Sequence, residues 1–203
     1  YGRQSITPQD RDAVLDVLNS PFLTQGPVVP AFENAVANKV TSSYGIAVNS
    51  ATSALHISCL ALGLNKGDWL WTSPNTFVAS ANCALYCGAK VDFVDIDDKT
   101  YNISIKHLEE KLVLAKKNNS LPKLVVPVHF AGQSCEMKEV WRLSKEYDFM
   151  VIEDASHALG GDYLGNKIGC CEFSHMAVFS FHPVKMITTG EGGAITTNSY
   201  DLD

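Results

Sequence analysis

The chain has no run of lysine and arginine, and its 203 residues carry a formal net charge of −6. A surface of that sign repels nucleic acid and anionic membrane faces, so neither is expected as a partner. No apolar run reaches the roughly 20 residues that a membrane-crossing helix needs. The six cysteines (Cys59, Cys83, Cys87, Cys135, Cys170 and Cys171) make no CxxC pair, and the histidines show no HExxH spacing, so no metal site is expected. No secretory signal is read before the first helical stretch, and reduced thiols then point to the cytoplasm. The dinucleotide fingerprint GxGxxG, the phosphate loop GxxxxGK[ST] and the nucleophile elbow GxSxG are all missing. Basic side chains also run out towards the end: after Lys167 the only lysine or arginine is Lys185.

What is present is an alternation of short apolar runs and helical stretches. Thr7-Pro8-Gln9-Asp10 opens a helix, with Thr7 as cap, Pro8 in the first turn and Asp10 at the positive end of the dipole. Val14, Leu15 and Leu18 give it an apolar stripe, and Asn19-Ser20-Pro21 stops it. A second amphipathic segment places Phe32, Val36 and Val40 on one side. From residue 46 onward, strand-like runs at 46–48, 69–72, 91–95, 124–128 and 149–152 alternate with helices from near Ala51, over 76–87, 104–116 and 136–147. Tyr163 to Ile168 reads as a hairpin around Gly165-Asn166. Fully apolar strands separated by helices predict an α/β fold: a mostly parallel, doubly wound sheet flanked by helices, in three layers.

In such a sheet, ligands bind beyond the carboxyl ends of the strands, and four features fall there. Asn49-Ser50-Ala51-Thr52-Ser53 opens a helix with small hydroxyl residues, which suits either a phosphate or simple capping. Asp154 ends a buried strand, where a carboxylate needs a partner such as a protonated ring nitrogen or a backbone cap. Phe77 follows Pro74-Asn75 and can stack on a flat ring or join the core. Lys185 lies between two strand-like runs, five residues after Ser180, beside the turn Thr188-Thr189-Gly190-Glu191-Gly192-Gly193. Burial there lowers an ammonium's pKa and makes the amine a usable nucleophile, while snorkelling to water is the bland alternative. Together these four are what pyridoxal phosphate requires. His129 and His157 lie near strand ends, within reach of a ligand.

The text at these positions resembles the DegT/DnrJ/EryC1/StrS sugar aminotransferases, enzymes of the pyridoxal-phosphate fold-type I class. The matching stretches are Leu23 to Pro27, Asn49 to Leu55, Glu153 to Ala158 and Ser180 to Gly193. Within the family the chain is most similar to the enzymes of the pseudaminic acid pathway that aminate C4 of a UDP-linked 4-keto-6-deoxy-N-acetyl sugar. The resemblance implies a cofactor-binding large domain over 1–203 with an N-terminal helical segment of about 1–45. Family members continue into a small C-terminal domain that is absent from this sequence. It further implies that Lys185 is the Schiff-base lysine and proton shuttle, and that Asp154 pairs with the pyridine nitrogen. Ser180, Ala51 and Thr52 would hold the phosphate, Phe77 would stack on the ring, and His157 would stand where many relatives carry glutamine. Tyr1, Pro21, Phe22, Leu23 and Thr24 match positions that contact sugar nucleotide. The implied partners are a nucleotide-sugar, an amino acid (L-glutamate) and a second copy of the chain in a homodimer. The rival expectation is a non-catalytic fragment that binds the cofactor or serves a structural role.

Overall fold

The structure is a computed structural model that describes residues 3–202. Helix α1 (Pro8–Asn19) starts as expected: Thr7 accepts from the Asp10 N–H, and the Asp10 carboxylate accepts from the Thr7 N–H, a reciprocal cap. Its apolar stripe does not find a core. Val14, Leu15 and Leu18 are all exposed, and no residue of α1 is buried. Helix α2 (Val28–Val40) does pack, through Val36, Ala37 and Val40, and Phe32 meets Phe181 edge-on at 5.1 Å.

The sheet is built from β1 (Tyr44–Val48), β2 (Trp69–Thr72), β3 (Lys90–Phe93), β4 (Leu124–Val126), β5 (Met150–Asp154), β8 (Met176–Ser180) and β9 (Gly193–Thr197). The seven strands stand in the order β1-β9-β8-β5-β4-β2-β3. Only β9 runs against the rest, pairing antiparallel with both β1 and β8. Strand β4 is shorter than the apolar run suggests because Pro127, next in line, has no N–H to extend the ladder. The remaining strands, β6 (Asp162–Tyr163) and β7 (Asn166–Lys167), make a separate small hairpin. Its turn centres on Leu164-Gly165, both left-handed, one residue earlier than expected, because Asn166 already pairs with Tyr163.

Helices α3 (Ala51–Ala61) and α4 (Ala79–Tyr86) cover one face, while α5 (Ile105–Lys117) and α6 (Met137–Tyr147) cover the other beside α2. The strand period of two sorts neighbouring residues between the faces: Leu70, Val126, Ile152 and Val178 pack under α3 and α4, whereas Trp71, Val125 and Val151 pack under α5 and α6. This explains why the central strands are apolar on both faces, while the edge strand β3 carries Lys90 and Asp92. Helix α4 starts at Ala79 rather than at residue 76, with Val78 as its N-cap and no side-chain cap, and residues 73–78 form an irregular approach to it.

Candidate active site

All the parallel strands end at the same edge, and a cavity of about 710 Å³ opens there. Five elements build its wall. At the end of β1, the Ser50 hydroxyl accepts the Ser53 N–H at 3.1 Å and caps α3. The Ala51 and Thr52 N–H groups, at the positive end of that helix, find no acceptor among the described residues. Gly193 is what brings this helix end against the sheet: a Cβ on it would stand 2.6 Å from the Ala51 nitrogen. Ser180, the last residue of β8, is the register partner of Gly193 and faces the same cavity.

Asp154 ends β5 and is buried. Its Oδ2 accepts from the Ser80 hydroxyl at 2.6 Å and its Oδ1 from the Ser156 N–H at 3.2 Å. The second bond is the local cap expected as an alternative, and the first is a long-range one. Lys185 sits in the connection between β8 and β9, where its N–H donates to the His182 carbonyl at 2.9 Å and closes a tight turn after Pro183. Burial pushes the Lys185 amine below its ordinary value of 10.5, and the Asp154 carboxylate partly restores it. His157 is pushed below 6.5 by burial and by the Lys185 cation, with Asp154 again opposing. Lys185 thus feels the Asp154 charge, and His157 feels both.

Phe77 lines the cavity and is 73% exposed, which excludes the core role. His129 also lines the cavity, but both of its ring nitrogens are engaged inside the fold. Nδ1 accepts from the Cys135 N–H at 3.1 Å, so the ring proton lies on Nε2, which donates to the Glu153 carboxylate at 2.8 Å. Only the ring's carbon edges are left to meet a ligand. Pro21, Phe22, Leu23 and Thr24 lie on the exposed connection between α1 and α2 and do not line this cavity. Tyr1 lies outside the described residues. Among the polar lining residues that were not site candidates from the sequence are Thr76, His182 and Glu191. His182 Nε2 lies 3.8 Å from the Glu191 carboxylate, across the glycine-rich turn.

An exposed helix end for an anion, a buried carboxylate for a cation and an amine of lowered pKa match the phosphate, ring nitrogen and aldehyde of pyridoxal phosphate. A mostly parallel, doubly covered sheet with this edge is the architecture of fold-type I enzymes. The model of the DegT/DnrJ/EryC1/StrS aminotransferase family matches residues 4–203, and the chain belongs to that family. Enzymes of the family depend on pyridoxal phosphate. The chain is 44% identical over 202 residues to a UDP-4-amino-4,6-dideoxy-N-acetyl-beta-L-altrosamine transaminase of Campylobacter jejuni, covering 100% of this chain and 52% of the relative. It is 38% identical over 194 residues to the GDP-perosamine synthase of Caulobacter vibrioides, covering 95% and 50% respectively. The solved structure of Helicobacter pylori PseC, an aminotransferase involved in the biosynthesis of pseudoaminic acid, superposes with a TM-score of 0.88 at 37% identity, over 100% of this chain and 53% of that one. The chain thus spans about half the length of the relatives it matches.

Proposed function

We propose that the protein moves an amino group from an amino acid, L-glutamate, to a nucleotide-linked 4-keto-6-deoxy sugar, with pyridoxal phosphate as cofactor, in the making of a surface polysaccharide or glycan. The observation that carries this reading is the convergence of Lys185, Asp154 and the α3 N-terminus on one cavity. The Ala51 and Thr52 N–H groups and the Ser180 hydroxyl would hold the phosphate, because a helix N-terminus favours a dianion and these donors have room for one. Asp154 would face the ring nitrogen, Phe77 would cover one ring face, and His157 would lie against the ring from the loop after β5.

The cofactor, when bound, supplies an electron sink that acidifies the carbon bearing the amine. The chain's share is to place a base at that carbon. Lys185 suits that role: burial lowers its proton affinity, and it stands on a loop between strands rather than on a strand. It would carry the cofactor covalently and then, once released, shuttle the proton. His157, held below its ordinary pKa beside it, is a neutral neighbour that does not compete for the phosphate.

The relatives act on different sugars, and the similarity to the Campylobacter jejuni transaminase favours a UDP-linked N-acetyl sugar of the pseudaminic acid pathway. Because residues 21–24 sit away from the cavity of their own chain, a sugar-nucleotide role for Pro21, Phe22, Leu23 and Thr24 fits a homodimer in which they reach a second copy's site. Six free thiols suit a reducing, cytoplasmic setting. Borohydride treatment of the cofactor-loaded protein is expected to fix the cofactor's mass on the peptide that contains Lys185; fixation on Lys145 or Lys167 overturns the assignment. Incubation with glutamate and a panel of keto-sugar nucleotides, read by product mass, identifies the acceptor.

A further inference from the structure

The Asp154 carboxylate is held by a hydroxyl pair that arrives from a different part of the chain. Ser80, in the first turn of α4, is fully buried, and its hydroxyl donates to Asp154 Oδ2 at 2.6 Å across 74 residues of sequence. A hydroxyl has one proton to give. Since Ser80 spends it on Asp154, the 2.7 Å contact between the Thr76 and Ser80 hydroxyls must run from Thr76 to Ser80. Thr76 lines the cavity, next to Phe77. The order is therefore Thr76 to Ser80 to Asp154, from the cavity wall inward.

We infer that Ser80 is a positioning residue, oriented by Thr76, that fixes the rotamer of Asp154 and thereby its contact with the ring nitrogen of the bound cofactor. A carboxylate at a strand end has free rotation about its last torsion, which is broad for an sp³–sp² bond. With the Ser156 N–H on Oδ1 and the Ser80 hydroxyl on Oδ2, both oxygens are tied and the plane is set. A hydroxyl donor at this distance on one oxygen and a backbone N–H on the other leave the carboxylate one orientation relative to the cavity. Neither hydroxyl is needed to start α4: the Ser80 N–H already bonds the Phe77 carbonyl at 3.2 Å.

This inference rests on the cofactor reading above, and a binding experiment separates the two. The affinity of purified protein for pyridoxal phosphate, and for an analogue with carbon in place of the ring nitrogen, is measured by fluorescence for wild type, Ser80→Ala and Thr76→Val. Wild type is expected to prefer pyridoxal phosphate. Ser80→Ala is expected to lose about tenfold in affinity for it, the scale of one hydrogen bond to a charged group, with no change for the analogue. Thr76→Val is expected to shift the same way by less, and it carries the test alone should Ser80→Ala not fold. Equal losses for both ligands, or no loss for either, overturn the inference. A wild type that binds both ligands alike shows that Asp154 does not meet the ring nitrogen and also overturns it, leaving the cofactor reading intact. A wild type that binds neither overturns both.

Discussion

Lys185 and Asp154 do opposite things with burial. The lysine loses proton affinity as it leaves water, whereas the carboxylate is compensated by two donors. Because the folded state holds the Lys185 proton less tightly than the unfolded chain does, folding stability rises as pH climbs from the lowered value towards 10.5, and the full penalty applies below that window. Cofactor-free Lys185→Met is therefore expected to melt above wild type at neutral pH, with the gap closing as the pH approaches 10.5. A gap independent of pH would mean the lysine is solvated. Asp154→Asn keeps the size and one of the two acceptors while removing the charge, so the fold should persist while amine transfer drops by more than ~10²-fold, the scale of losing one preorganised electrostatic contact. Near-normal turnover would reduce Asp154 to a strand-end cap. Both residues were legible in the sequence because each is a polar group abutting an apolar strand. Ser80 was not, since nothing local distinguishes a helical serine whose partner lies 74 residues away.

At the level of elements, sequence patterns located the strands well and the helix starts less well. Strand apolarity follows directly from two-sided burial, and the order of strands and helices emerged intact. What period and propensity do not contain is an irregular approach that delays a helix, as before α4 at Ala79, or a proline interrupting a ladder, as at Pro127. The junction of β9 with the α3 N-terminus depends on an absent side chain. Gly193→Ala would press a methyl into the Ala51 nitrogen from 2.6 Å, and both partners are backbone. Strand and helix must then separate, at a cost of roughly 1–3 kcal/mol, the usual range for overpacking. Urea unfolding should report that loss. Affinity for inorganic phosphate should fall with it, because the same displacement moves the Ala51 and Thr52 N–H groups; unchanged phosphate binding would detach the cradle from this junction.

On the scale of the whole molecule, many large apolar side chains face outward. Val14, Leu15 and Leu18 on α1, Phe22, Leu23, Val28 and Val29 after it, and Ile57, Leu60, Leu85 and Tyr86 on α3 and α4 all face outward. Single exposed apolar residues are ordinary, but a capped amphipathic helix with no buried face is not. The stripe was plain in the sequence; what covers it was not, because a helical period names a buried face without naming the neighbour. A homodimer would cover part of it, and a two-fold contact lets one substitution act twice. Val28→Asp with Val29→Asp is the informative pair. Both lie in the first turn of α2, which has no side-chain cap, so acidic groups there interact favourably with the helix dipole and leave the helix itself intact. Any assembly defect then comes from charge placed in the interface rather than from a damaged fold. Light scattering at micromolar concentration is expected to show a shift of the double variant from dimer towards monomer, with weaker retention of cofactor absorbance. An intact dimer with full cofactor would remove this segment from the interface.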